Sequence, residues 1–107
     1  MKIAVITGAS SGIGLATSLE LAQKGFSIIG IGHQQARCDA AKVQIAASNN
    51  DIQVWFLCGD LMQQREVERI AEQIKEILAW ENGDRLDILI NNAGCVRSWY
   101  TTTEDGY

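Results

Sequence analysis

Histidine occurs once, at His33, and no C-x-x-C spacing is present. Protein zinc sites draw on clustered histidine and cysteine, so no metal site is expected. The three cysteines, Cys38, Cys58 and Cys95, are odd in number and widely spaced, and they read as reduced thiols of a cytoplasmic protein. Basic runs are absent and the net charge is −4, which leaves no electrostatic footprint for a nucleic acid. No apolar run approaches the ~18–20 residues that a membrane-spanning helix needs. Met1-Lys2 leads directly into an apolar strand and a glycine-rich turn, so no removable leader is expected. Internal repeats, low-complexity segments and linkers are missing as well.

What remains is a chain of 107 residues, enough for one small domain with one core. Apolar residues make up 47% and charged residues 21%, the balance of a globular protein rather than a disordered one. Ile3-Ala4-Val5-Ile6 is a continuous apolar run, as a strand buried on both faces requires. Thr7-Gly8-Ala9-Ser10-Ser11-Gly12-Ile13-Gly14 follows it, and a helical pattern opens at Ile13. Strand, glycine-rich turn and helix in this order suit a phosphate diester. The turn brings backbone N–H groups close to the ligand, and the helix start adds unpaired donors and a positive dipole end. Gly8 suits the tight turn out of the strand, Gly12 a close backbone approach to a pyrophosphate, and Gly14 close packing of the helix on the strand. The spacing is G-x-x-x-G-x-G, not the commoner G-x-G-x-x-G.

Further along, Ile13, Ala16, Leu19 and Ala22 predict a helix over 13–24 with Gly25 beyond its end. Residues 26–31 read as a second strand, 35–47 as an alanine-rich helix and 52–57 as a third strand. Asp60 stands where it can cap the next helix. That helix carries the clearest stripe in the chain: Val67, Ile70, Ala71, Ile74, Ile77 and Leu78. Asn82-Gly83-Asp84 is a turn, residues 86–90 a fourth strand, and 101–107 a loop or the start of a further helix. The order β-α-β-α-β-α-β argues for an α/β fold with a parallel sheet and helices on both faces. An unrelated α/β fold of the flavodoxin-like type fits the same alternation.

Thr7 to Gly14, followed by Asp60-Leu61 and by Asn91-Asn92-Ala93-Gly94, resembles the short-chain dehydrogenase/reductase family. The resemblance covers essentially the whole chain, but the family's domain normally continues well past residue 107. It implies a Rossmann-type doubly wound sheet, here its first four strands in the order 3-2-1-4. Residues 1–107 would then be the N-terminal dinucleotide-binding portion of one domain, with the catalytic half absent. The ligand crevice is expected at the ends of strands 1 and 4, on either side of the topological switch point.

The same resemblance implies a nicotinamide cofactor and assigns its contacts. Thr7, Gly8, Ser10, Ser11, Gly12, Ile13 and Gly14 form the pyrophosphate cradle. Asp60 accepts from the adenine amino group and the Leu61 N–H serves the ring. Asn92, Ala93 and Gly94 line the cofactor ribose. An acid at the end of the second strand favours NAD, and a base there accommodates the 2′-phosphate of NADP. This chain has Gly32-His33-Gln34, with no acid, and His33 stands where many NADP-using relatives carry arginine. NADP is therefore expected ahead of NAD, although His33 also reads as a plain surface-loop residue. The function implied is hydride transfer between the cofactor and a carbonyl or alcohol of a small molecule. Family members are commonly dimers or tetramers.

No catalytic residue can be assigned. The family's tyrosine is followed four residues on by a lysine, whereas Tyr100 is followed by Glu104 and Tyr107 is the last residue. Residues 1–107 alone are not expected to turn over substrate. A nucleotide-binding module without catalysis, or a decayed remnant, is the alternative. Residues 103–107 resemble the segment before the helix of the catalytic asparagine, in relatives that include ones acting on lipophilic alcohols. Trp99 and Tyr100 suit either a substrate pocket or apolar packing.

Overall fold

The computed structural model describes residues 1–92. Expectations at Ala93, Gly94, Trp99, Tyr100 and 101–107 lie outside the described residues. Strand β1, Lys2–Thr7, is buried from Ile3 onward, because helices cover both of its faces. Side chains alternate across it, so Ile3 and Val5 face one layer and Ala4 and Ile6 the other. Strands β2 (Phe26–Gly32), β3 (Val54–Cys58) and β4 (Ile88–Asn91) run parallel to it in the order β3-β2-β1-β4. This is the expected doubly wound arrangement. Helix α3, Gln64–Asn82, covers one face with Val67, Ile70, Ile74 and Leu78 against Ile3, Val5, Ile29 and Ile31. Helices α1 (Gly12–Gln23) and α2 (Gln35–Ser48) cover the other, where Ala22 and Ile45 meet Ala4, Ile6 and Ile28.

Element ends differ from the sequence expectation in ways with local causes. Strand β3 starts at Val54 rather than Ile52, because the Gln53 N–H is taken by the Ser27 hydroxyl at 3.1 Å. Strand β4 starts at Ile88 rather than Leu86. Just before it, Asp87 binds Ile3 twice: its N–H donates to the Ile3 carbonyl at 3.0 Å, and its carboxylate accepts from the Ile3 N–H at 2.9 Å. Asp60 does not cap α3, whose cap position is Gln63. The Asp60 carboxylate instead accepts from the Met62 N–H at 3.0 Å and its carbonyl from the Gln63 N–H at 3.1 Å, so one tight turn precedes the helix.

The buried face of α1 also differs. Gly14, Ser18 and Ala22 are its buried residues, whereas Ile13 is 78% exposed and Ala16 is exposed. Small residues every fourth position let this helix lie close to the sheet. A Cβ on Gly14 would run into the Gly8 carbonyl, so Gly14 packs on the turn after β1 rather than on the strand itself. Ser18 is satisfied by donating to the Gly14 carbonyl at 2.8 Å.

Candidate dinucleotide site

All four strands end at the same edge of the sheet, as parallel strands joined by crossover helices must. That edge gathers Gly8 after β1, His33 after β2, Asp60 after β3 and Asn92 after β4. The turn after β1 carries positive φ at Gly8 (64°) and Gly12 (58°), conformations that a side chain resists. Nothing lies within 4 Å of where a Cβ on Gly12 would point, so that side of the turn is open. The Ala9 N–H holds the turn to β2 by donating to the Ile31 carbonyl at 3.0 Å. Ser11 occupies the cap position of α1 with no side-chain cap, which leaves the first N–H groups of the helix without that partner.

Two adjoining clefts open at this edge. One, of about 150 Å³, is lined by Gly8, Ile31, Gly32, His33, Gly59, Asp60, Leu61 and Met62. The other, of about 230 Å³, is lined by Gly8, Ser10, Ser11, Gly32, His33, Gln34 and Arg37. Gly8, Gly32 and His33 line both, so the clefts meet where β1 and β2 end. A larger cleft of about 430 Å³ lies between β3 and α3, remote from the glycine turn and lined by Trp55, Trp80, Glu76 and Glu81 among others.

The floor of the first cleft is held from behind. The Arg69 guanidinium donates to the Cys58 carbonyl at 2.9 Å and pairs with Glu66 at 2.8 Å. That hydrogen bond holds the Glu66 carboxyl below its usual range, and Glu66 also accepts from the Asp60 backbone. The end of β3 and the Asp60 turn are thus tied to the first turns of α3. Across the sheet, Thr7 is fully buried and its hydroxyl donates to Asn91 at 3.0 Å. Thr7 and Asn91 are also register partners, so this bond joins β1 to β4 at the switch point.

Of the residues expected from sequence, Gly8, Ser10, Ser11, His33, Asp60 and Leu61 line these two clefts. Gly12 and Ile13 sit exposed at the start of α1, and Gly14 lies beneath the turn. Thr7 faces Asn91 rather than a cleft, and Asn92 is exposed just beyond β4. Arg37 is the residue that sequence reasoning missed. It is the third residue of α2, and because α2 begins right after the His33-Gln34 turn, it comes back over the end of β2. Its signal was a cation three residues beyond the strand-end turn. Met62, 75% exposed on the rim, carried no signal.

A model of the short chain dehydrogenase family matches residues 2–105. Retinol dehydrogenase 13 from Homo sapiens is 38% identical over 99% of this chain and 30% of its own length. The NADPH-dependent pterin aldehyde reductase of Arabidopsis thaliana is 32% identical, over 97% of this chain and 41% of its own. Among solved structures, L-sorbose reductase from Gluconobacter frateurii, complexed with NADPH and L-sorbose, superposes with a TM-score of 0.75. It is 32% identical, over 87% of this chain and 33% of that one. This chain therefore spans about a third of the length of these relatives.

Proposed function

This chain belongs to the short chain dehydrogenase family, and we propose that residues 1–107 are the dinucleotide-binding portion of an NADP-dependent oxidoreductase. The observation that carries the reading is the pair of adjoining clefts, which meet at Gly8 and His33. An adenine end fits the cleft of Asp60 and Leu61, where a carboxylate can accept from an exocyclic amine and a backbone N–H can serve a ring nitrogen. A phosphate-bearing ribose fits the cleft of Ser10, Ser11, His33 and Arg37, which offers two hydroxyls and a guanidinium and has no acid among its lining residues. The pyrophosphate fits the open side of Gly12 at the start of α1, where a Cβ has no neighbour to meet but a ligand has backbone donors. Ile13, exposed there, offers apolar cover to the nicotinamide side, and Asn92 follows β4 on the other side of the switch point.

The bound nicotinamide would supply the hydride chemistry with a carbonyl or alcohol carbon. This portion binds and orients. Thr7 acts as a positioning residue by joining β1 to β4 under the crevice. The proton relay and substrate-holding groups belong to the remaining length of such enzymes, so the 107 residues alone are not expected to turn over substrate. The reductase relatives that work with NADPH support NADP over NAD.

The selectivity has a direct test. Arg37→Gln removes the guanidinium that lines the second cleft and leaves a shorter, uncharged polar side chain. NADP binding is expected to weaken about tenfold, as loss of a charge-assisted contact to a phosphate implies, with NAD binding unchanged. Equal losses for both dinucleotides, or none, would contradict the assignment of the 2′-phosphate to this cleft.

A further inference from the structure

Two cysteines that the dinucleotide reading does not use stand beside the second cleft. Cys38, one residue after Arg37 on α2, is buried, and Cys58, the last residue of β3, is half-buried. Separate elements bring them to one place, the end of β2. Gly32 is the register partner of Cys58. A Cβ at Gly32 would come within 2.5 Å of the Cys38 sulfur, so the missing side chain there is what admits that thiol. The Cys58 thiol donates to the His33 carbonyl at 3.3 Å, and as the register partner of Gly32 it shares the sheet face on which Gly32 meets the Cys38 sulfur. Both sulfurs therefore lie against the Gly32-His33 segment that walls both clefts.

We propose that Cys38 and Cys58 are a redox pair that closes to a disulfide beneath the His33 end of the dinucleotide site. With glutathione disulfide as oxidant, the Cys58 thiolate attacks one of its sulfurs, a mixed disulfide forms and one glutathione thiolate leaves. The Cys38 thiolate then attacks the Cys58 sulfur, the protein disulfide forms and the second glutathione leaves. The two cysteines give up two electrons and two protons, and glutathione disulfide takes both to become two glutathione thiols. The order follows from exposure, since the half-buried Cys58 meets the oxidant first and the buried Cys38 resolves. Burial, together with the neighbouring Cys58, pushes the Cys38 thiol up to about 11, so it keeps its proton while Cys58 reacts.

Closing the bond withdraws the Cys58 donor from the His33 carbonyl and draws the start of α2, with Arg37, toward β3. Oxidation is then expected to weaken binding of NADP, a consequence that rests on the dinucleotide reading above. By linkage, bound NADP protects the pair by the same factor.

The test uses the whole 107-residue chain with Cys95→Ser, equilibrated in glutathione buffers of graded oxidation, alkylated and mapped by mass spectrometry. The expected result is joint loss of two alkylatable thiols and a peptide joining Cys38 to Cys58, both abolished by Cys58→Ser and by Cys38→Ala. Thiols that stay alkylatable throughout, or glutathione that remains on Cys58, would overturn the pair. In the same samples, NADP affinity is expected to fall about fivefold on oxidation and to return with dithiothreitol. Bond formation with unchanged NADP affinity would overturn the link to the cleft. The mass readout needs no bound dinucleotide, so a chain that fails to bind NADP in either state counts against the dinucleotide reading and leaves the pair judged by mass alone.

Discussion

Gly14 is the residue at which one methyl group would do most harm. Its Cα faces the Gly8 carbonyl, a backbone group that cannot swing aside as a side chain does. Gly14→Ala is expected to cost about 1–3 kcal/mol, the usual penalty of forced overpacking, read as a lower urea midpoint. An unchanged midpoint would mean that α1 slides freely on the turn. The glycine spacing made this close approach legible in outline, because a strand, a turn and a helix leave few places for three glycines. Arg37 was not legible in the same way. Its place over the end of β2 depends on α2 starting at Gln35, and a shift of one residue in that start would turn the side chain by about 100° around the helix.

Among the elements, α3 was the easiest to read and α1 the hardest, for one physical reason. In α3 large apolar residues do the packing, so the stripe from Val67 to Leu78 coincides with the buried face. In α1 the packing is done by Gly14, Ser18 and Ala22, and small residues leave no hydropathy signal. Asp60 misled because a carboxylate before a helix suits a cap and a turn equally, and only the backbone decides. The β1–β4 junction was also hidden, since Asp87 looks like an interruption of an apolar run. Burial alone would raise its carboxyl, but the Ile3 N–H and the Arg85 side chain, at 2.9 Å each, hold it below its usual range. A carboxyl lowered by folding stabilises the protein above its unfolded value, and that contribution is lost as pH falls through the folded one. Asp87→Asn is therefore expected to cost about 2 kcal/mol at pH 7. The gap between variant and parent should close below about pH 4, as the parent's carboxyl becomes protonated. A gap that persists in acid would assign the loss to packing instead.

For the molecule as a whole, a parallel sheet between helices followed from the alternation of elements and from strands apolar on both faces, whereas the strand order came only with the family resemblance. The edges of that sheet are another matter. β4 is the last strand on its side among the described residues, and Ile88 to Asn91 are only half-buried although patterned for cover. Leu86 and Leu89 likewise pack only partly against the core. An apolar strand edge of this kind invites pairing with another chain. The purified 107-residue chain is expected to self-associate in size-exclusion chromatography, and a monodisperse monomer would show that β4 is adequately covered.

Calorimetric titration of the folded chain with NADP and with NAD, beside a Gly12→Val variant, bears most directly on the dinucleotide reading. NADP is expected to bind one to one and more tightly than NAD, and Gly12→Val to abolish both by placing a side chain at a positive φ on the open side of the turn. Binding that survives in Gly12→Val, or a folded parent chain that takes up neither dinucleotide, would contradict the assignment of this turn as the pyrophosphate cradle.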